Sequence, residues 1–580
     1  MWENIKEEME QGNFIQARVL LEAEKELRGN CPDDIFAILD ASVYEAEGDR
    51  KGMFDAIAAG LSFNPSNYEL YYMLGNYYLA VNPNQAFLCF ENAEFYCDDA
   101  EDLAMIQQEE RQLAESGFGV SPVSVVILSY NAKEEMALCL NSLRKYGGIG
   151  REGEIIVIDN ASTDGVTDYL KEQKDIWLVC NTENAGFPVG CNQGIKIASP
   201  DNDIFLLNND TVLAPNAIFW LRMGLYENVS VGGTGSVTNY AGNYQTITDK
   251  FASLEEYMDY ARQHNIPMEY PYEKRLCLIG FAFLIKRKAL DAVGLLDERF
   301  SPGNFEDIDL SYRLIQAGHQ LLLCRNSFIF HFGSRGFSQD VFGYNRLMET
   351  NAIKFRDKWG FDGQYYSNER RELTEYIEEV GDAPLKVLEI GCGMGATLGH
   401  IRNRYPNAEV YGIELSEQVV QIARNYLPSV NQGNIENISL EYQENFFDYI
   451  IFGDVLEHLH NPQKVLMHMQ KYLKSSGFIL ASIPNILHYS VILELLRGKF
   501  SYTDSGILDR THLRFFTLYE IVLMFKECGY RIEAVTKRKT SGALSEEDKG
   551  MLDALLQLPG VVSRDNFEVY QYLVKAGKEI

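Results

Sequence analysis

Residues 204–215 read IFLLNNDTVLAP. An apolar run short enough for a buried strand stops at Asn208-Asn209-Asp210, and Pro215 signals a helix start beyond it. The Asp210 carboxylate therefore stands at a strand end. There α/β proteins place ligand groups, and there Asn and Asp also serve as ordinary turn residues. A second stretch, KVLEIGCGMGATLGHI, runs from a strand through Gly391, Gly393 and Gly395 into a helix, with Glu414 nineteen residues after Gly395 at the end of the next strand, EVYGIELS. Glycines at that spacing let a cofactor approach the backbone, and an acid after the second strand takes a ribose diol. On those residues alone NAD is one reading.

These groups need several scaffolds. At 580 residues the chain exceeds one core, and roughly 100 to 200 residues per domain suggests three or four units. A formal net charge of -31 argues against nucleic acid or an anionic membrane as the main partner. Ten cysteines (Cys31, Cys89, Cys97, Cys139, Cys180, Cys191, Cys277, Cys324, Cys392 and Cys528) are scattered without a C-x-x-C pair, so neither a zinc knuckle nor a disulfide framework is indicated. The opening MWENIKEEMEQGNF lacks a basic and an apolar leader region, and no apolar run nears the ~20 residues of a spanning helix. A soluble, cytoplasmic protein with no membrane span is expected.

Three grammars follow one another. Residues 1–118 are helical in period and self-similar at 34 residues, with Ala41 and Tyr44 recurring as Gly75 and Tyr78. This stretch resembles two to three degenerate tetratricopeptide repeats, whose small residues let paired helices approach; a plain helical bundle is the alternative. From residue 119 to about 360, VSVVILSYN, EIIVIDNASTDG and IFLLNND alternate with helical stretches, which predicts a doubly wound parallel sheet. A second α/β segment occupies 361–580 and begins with the glycine-rich strand.

In the middle segment VSVVILSYN, VIDNASTDG, NAGFPVGCNQGI, LLNND and FEDIDLSYRL occur in that order. Together they resemble a family 2 glycosyltransferase of GT-A fold. The resemblance implies that Ser129, Asn131 and Asp159, with Asp164 nearby, hold the nucleotide of a UDP- or TDP-sugar. It implies a divalent cation, Mn²⁺ or else Mg²⁺, on Asp210 and His331, with Asn208 and Asn209 departing from the usual pair of acids. Asp307 becomes the acceptor-side base, Glu306 its fallback, and Asp309 a helix cap or part of a merely acidic helix start.

Glu-x-Gly-Cys-Gly-x-Gly, with FDYIIFGDVLEHLHNP and THLRFFT, resembles a class I S-adenosylmethionine-dependent methyltransferase over about residues 383–540. That resemblance implies Glu389 and the glycine loop at the methionine part, Glu414 on the ribose, Asn434 at adenine and Asp454 where methyl donor and acceptor meet. His458 or His512 becomes a base, or both are structural. The expected protein is a bifunctional enzyme that transfers a sugar and O-methylates a glycan. Its acceptor is a glycan, a surface polysaccharide precursor, or a protein such as flagellin. A docking protein with degenerate catalytic domains is the alternative. The helical segment is expected to be removable without loss of donor hydrolysis.

Overall fold

The computed structural model describes residues 2–28, 33–333, 341–540 and 544–579; Cys31 lies outside the described residues, and the other nine cysteines are free thiols. The chain divides into two compact units between Lys358 and Trp359.

The first unit opens with seven helices, α1 (Trp2–Glu10), α2 (Phe14–Arg28), α3 (Asp34–Glu47), α4 (Arg50–Phe63), α5 (Tyr68–Leu79), α6 (Pro83–Tyr96) and α7 (Ala100–Glu115). Side-chain caps set their starts: Asp33 accepts from Ile35 N and Phe36 N, Asn67 from Leu70 N, and Asn82 from Asn84 N just before Pro83. The pairs α3–α4 and α5–α6 begin 34 residues apart, at Asp34 and Tyr68, and match the period read in the sequence.

These helices are not a separate body. Leu74, Phe90, Ala93 and Ile106 share one apolar core with Phe219, Trp220 and Met223 of the helix Ala217–Leu225, a helix buried on every side. Buried polar groups join the same parts. Arg222 pairs with Glu91 of α6 and donates to Gly148 O at 3.0 Å and Ser121 O at 3.1 Å. Gln85 Nε2 donates to Met223 O at 2.9 Å, and Asn216 Nδ2 to Pro65 O at 2.8 Å. The shared core bears on the expectation that donor hydrolysis survives removal of residues 1–118: these helices cover one face of the Ala217–Leu225 helix.

Nine strands follow among the described residues of this unit: β1 (Val123–Ser129), β2 (Glu154–Asp159), β3 (Trp177–Cys180), β4 (Asp203–Asn208), β5 (Thr211–Leu213), β6 (Val231–Val237), β7 (Tyr272–Arg275), β8 (Ala282–Ile285) and β9 (Gln320–His331). The order is β3-β2-β1-β4-β8-β6-β9-β5, with β7 on β9. The first four strands are parallel, as expected. The sheet as a whole is mixed, because β8 runs antiparallel to β4 and β6, and β5 and β7 run antiparallel to β9. No helix separates β7 from β8, so the alternation that enforces parallel crossovers stops there.

The second unit holds β10 (Lys386–Ile390), β11 (Glu409–Glu414), β12 (Val430–Gln432), β13 (Phe447–Gly453), β14 (Leu473–Pro484), β15 (Tyr530–Lys539) and β16 (Val569–Lys578) in the order β12-β11-β10-β13-β14-β16-β15. β16 runs antiparallel to β14 and β15, while the other pairings are parallel. Cores on both faces of this sheet leave the C-terminal ends of β10, β11 and β13 to carry the loops with chemistry. Among the described residues no helix is long and apolar enough to cross a membrane.

Candidate functional sites

In the first unit the predicted residues gather at the ends of β1, β2, β4 and β9. Ser129 and Asp159 are register partners across β1 and β2. Ser129 Oγ is buried and has no hydrogen-bond partner among the described residues. Asp159 accepts from Thr167 Oγ1 at 2.6 Å and Ser162 N at 3.4 Å. Asn131, at a left-handed φ of 58°, accepts from Thr163 N through Oδ1 at 2.9 Å. Asp164 is an exposed turn residue whose two oxygens accept from Lys133 N and Val166 N, the first residues of two helices.

The two asparagines at the β4 end have definite work. Asn209 Nδ2 donates to Asn131 O at 3.3 Å and ties the Asn131 turn to the Asp210 turn. A carboxylate at 209 has no proton for that bond. Asp210 Oδ1 lies 3.2 Å from His331 Nε2, and Phe332 N donates to Asp210 O at 3.0 Å. His331 Nδ1 faces Tyr240 O at 2.8 Å. A carbonyl only accepts, so Nδ1 carries a proton; Nε2 donates to the Asp210 carboxylate when it too is protonated, and offers a lone pair there once a cation takes the place of that proton. Burial lowers the His331 pKa, but the hydrogen bond and charge of Asp210 outweigh it and the net shift is upward. One carboxylate oxygen and one oriented imidazole fit a divalent cation that completes its shell with phosphate oxygens and water.

The segment Gly280-Phe281 links this pair to the acidic cluster. Phe281 stacks on the His331 ring with centroids 5.1 Å apart, and its carbonyl accepts from Asn208 N. Gly280 N donates to Asp307 Oδ2 at 3.0 Å. Asp307 and Glu306 open the helix Glu306–Gln316. Burial holds both carboxyls above the usual range, and for Glu306 the charge of Asp307 adds to it. Glu306 Oε2 has no partner among the described residues. Asp309 is not a cap, since the helix has already begun; it pairs with Arg313 at 2.8 Å and Lys358 at 2.5 Å. Gly186 (φ 86°) keeps the NAGFPVG loop close to the turn before Glu306: a Cβ there would lie 2.8 Å from Pro302 Cα.

In the second unit the glycine loop is closed by the predicted acid. Gly393 N donates to Glu414 Oε2 and Ser416 N to Oε1, both at 2.9 Å, which leaves each oxygen a further lone pair for a diol. At Gly393 (φ 54°) a Cβ would lie 2.4 Å from Tyr366 O, so only glycine fits. Glu389 is buried at the end of β10, its Oε2 without a partner among the described residues, and burial pushes its pKa up to about 8. A buried carboxyl with one unpartnered oxygen beside a backbone loop fits the cationic methionine part of S-adenosylmethionine. Asn434 lies exposed after β12 and spends its Oδ1 on Glu436 N at 2.9 Å. Asp454 (φ 54°) follows β13 and pairs with Arg370 at 2.6 Å. The rings of His458, four residues after Asp454, and His512 meet at 4.7 Å between centroids, with Glu457 beside them.

Residues 124–294 match the family model described as glycosyl transferase family 2, and residues 364–535 match a methyltransferase domain. The chain carries one domain of each kind. The glycosyltransferase match ends before Glu306 and His331. Among curated relatives, the malonyl-[acyl-carrier protein] O-methyltransferase of Halalkalibacterium halodurans is 28% identical over 116 residues, 19% of this chain and 43% of that protein. The demethylmenaquinone methyltransferase of Bacillus mycoides is 24% identical over 204 residues, 31% of this chain and 84% of that protein. The chain spans about half the length of the first curated relatives it matches, 43%, 60% and 51%. Among solved structures, GalNAc-T7 with UDP, GalNAc and Mn²⁺ is similar at 17% identity and TM-score 0.32, covering 44% of this chain and 51% of that one. A SAM-dependent methyltransferase of Archaeoglobus fulgidus is similar at 18% and 0.27, covering 39% and 99%.

Three parts of these candidate sites escape the sequence. Tyr240 acts through its carbonyl, which leaves no trace in residue type. Gly280 and Phe281 act through backbone groups and a ring face. Arg370 lies in SNERRELTEYIEEV, which reads as a charged linker, yet its side chain reaches Asp454 and Ser482. Its signal was an arginine just before the glycine-loop strand of a cofactor domain.

Proposed function

We propose that the chain is a two-site enzyme that transfers a sugar from a UDP- or TDP-sugar to a hydroxyl and methylates a glycan hydroxyl from S-adenosylmethionine. The Asp210–His331 pair carries the sugar-transfer half. Its carbonyl-anchored tautomer and its link through Gly280-Phe281 to Asp307 suit a cation at one end of a donor sugar and a base at the other. A bound Mn²⁺ would neutralise charge developing on the leaving diphosphate. Asp307 takes the acceptor proton, Asn131 and Asp159 hold the nucleoside, and attack opposite the diphosphate inverts the anomeric carbon. Glu414, closed onto Gly393, carries the methyl-transfer half: it orients the ribose, with Glu389 beside the methionine and Asp454 near the acceptor. When no ion occupies its Nε2, His458 or His512 can accept a hydroxyl proton there.

The helix pairs of residues 33–96 we assign as tetratricopeptide-like repeats that buttress the glycosyltransferase domain. The acceptor is a glycan or a protein hydroxyl, and a surface polysaccharide precursor fits the same reading as a protein such as flagellin. The test is nucleoside diphosphate release from UDP- and TDP-sugars with Mn²⁺, alongside S-adenosylhomocysteine formation with glycan acceptors. Release of neither product would favour the docking-protein alternative.

A further inference from the structure

Glu457 is a buried acid of the second unit. It lies in the turn Leu456–His458 just after β13, is 1% exposed, and neither carboxylate oxygen has a hydrogen-bond partner among the described residues. A buried carboxylate left so is costly unless something positive joins it. Arg370, the cation acting on it, is committed to Asp454 and Ser482, and Asp454 and Asp509 add further negative charge.

The same turn is fastened to a second segment. Leu513 N and Arg514 N both donate to Glu457 O, at 2.8 and 3.0 Å. This brings His512 against His458, and one ligand atom from each of Glu457, His458 and His512 lies within 4.8 Å of the others. The two rings are held alike. His458 Nδ1 is 3.2 Å from Thr511 O and 3.1 Å from Thr511 Oγ1, whose own proton goes to Asp509 Oδ1, and His512 Nδ1 is 2.9 Å from Ile507 O. Each carbonyl requires a proton on Nδ1, so both neutral rings present Nε2 as a lone pair. A ligating histidine is commonly oriented in this way by a carbonyl on its other nitrogen.

We propose that Glu457, His458 and His512 bind a divalent transition-metal ion in the methyltransferase domain. Two imidazoles and one carboxylate are a donor set suited to Zn²⁺, Mn²⁺ or Fe²⁺, and three protein ligands leave a position open for an oxygen. Metal–ligand bonds of about 2.0–2.2 Å put two donors at most ~4.4 Å apart, so small side-chain rotations close the site. The role of the open position rests on the O-methylation reading above: an acceptor hydroxyl bound there is acidified and its proton leaves to water. Its oxygen then bonds to the methyl carbon as the sulfur–carbon bond breaks, and S-adenosylhomocysteine departs. Ligation occupies both Nε2 atoms, so the histidines act as ligands and not as bases.

The test uses full-length protein stripped with chelator and titrated with Zn²⁺ by calorimetry and with Co²⁺ by visible absorption. The expected result is a site weakened at least tenfold by Glu457→Gln and by His458→Gln and kept in Asp210→Asn, which removes the carboxylate of the other cation site. His512→Asn provides a third variant, and unchanged S-adenosylmethionine affinity shows that the domain remains folded. Zn²⁺ binding that is absent from the wild type, indifferent to all three variants, or lost only in Asp210→Asn would overturn the proposal. Methyl transfer that survives chelation while the ion site is present would overturn the acceptor role alone. An ion site in a protein that methylates no hydroxyl would remove the O-methylation reading and leave the metal site standing.

Discussion

His331 Nε2 lies 3.2 Å from Asp210 Oδ1, while its Nδ1 is tied to Tyr240 O at 2.8 Å. The contact spans β9 and the β4–β5 turn, where Thr211 and His331 are cross-strand partners, so strand pairing fixes it before any ligand arrives. Asp210→Asn keeps the shape and removes the charge. Sugar transfer should fall by about 10² or more, in the range seen when one preorganised electrostatic group is lost, with S-adenosylmethionine binding unchanged. Nucleoside diphosphate release against Mn²⁺ concentration checks it, and near-normal release would remove Asp210 from the cation site.

The base is tested separately. Asp307→Asn can still accept from Gly280 N, so donor binding and KM should hold while kcat falls by about 10² to 10⁴. Glu306, with an unpartnered buried oxygen, is the rival. If Glu306→Gln loses more kcat than Asp307→Asn, the two residues exchange roles.

Much of this was legible because ordered motifs report strand ends. Ser129, Asp159, Asp210, Glu414 and Asp454 all stand where a hydrophobic run stops, and the run is a local property. The antiparallel strands β7 and β8 were not legible, because a short buried strand such as AFLI carries no sign of its direction. Asn209 looked like a lost acid in sequence and is an amide donor in the fold, a role visible only once Asn131 O is beside it. The union of the helices with the glycosyltransferase domain was hidden as well, since the apolar Ala217–Leu225 helix reads the same whether its cover comes from the sheet or from a distant segment.

Glu389 gives a pH signature. Burial pushes its pKa up to about 8, above its ordinary 4.5, so the folded protein holds a proton there that the unfolded chain has lost. The stabilising contribution is thus full below about 4.5 and is lost as pH rises through about 8. A cationic methionine group beside Glu389 favours its ionised form, so binding should release a proton near pH 7 and tighten as pH rises from about 6 to 8. Calorimetry in buffers of different ionisation enthalpy measures that proton, and Glu389→Gln should abolish it. A buffer-independent enthalpy in the wild type would separate Glu389 from the methionine part.

The last prediction concerns Arg222 and Glu91, which join the helical segment to the glycosyltransferase domain. Arg222 is 1% exposed, so Glu91→Gln removes the opposite charge and leaves the buried guanidinium with neutral oxygens alone, those of the new amide and of Gly148 and Ser121. Breaking a buried ion pair on one side costs about 3–5 kcal/mol, and this loss should appear as a lower unfolding temperature and weaker sugar transfer in the full-length protein. Phe219→Ala, in the apolar part of the same junction, should cost a similar 3–5 kcal/mol or so. Neither change touches the glycine loop, and S-adenosylmethionine affinity should stay at the wild-type value. Removing residues 1–118 then abolishes donor hydrolysis together with acceptor glycosylation, because Phe219, Trp220 and Met223 lose their cover. A truncated protein that still hydrolyses donor at the full rate would show that the helices dock onto a domain already stable without them.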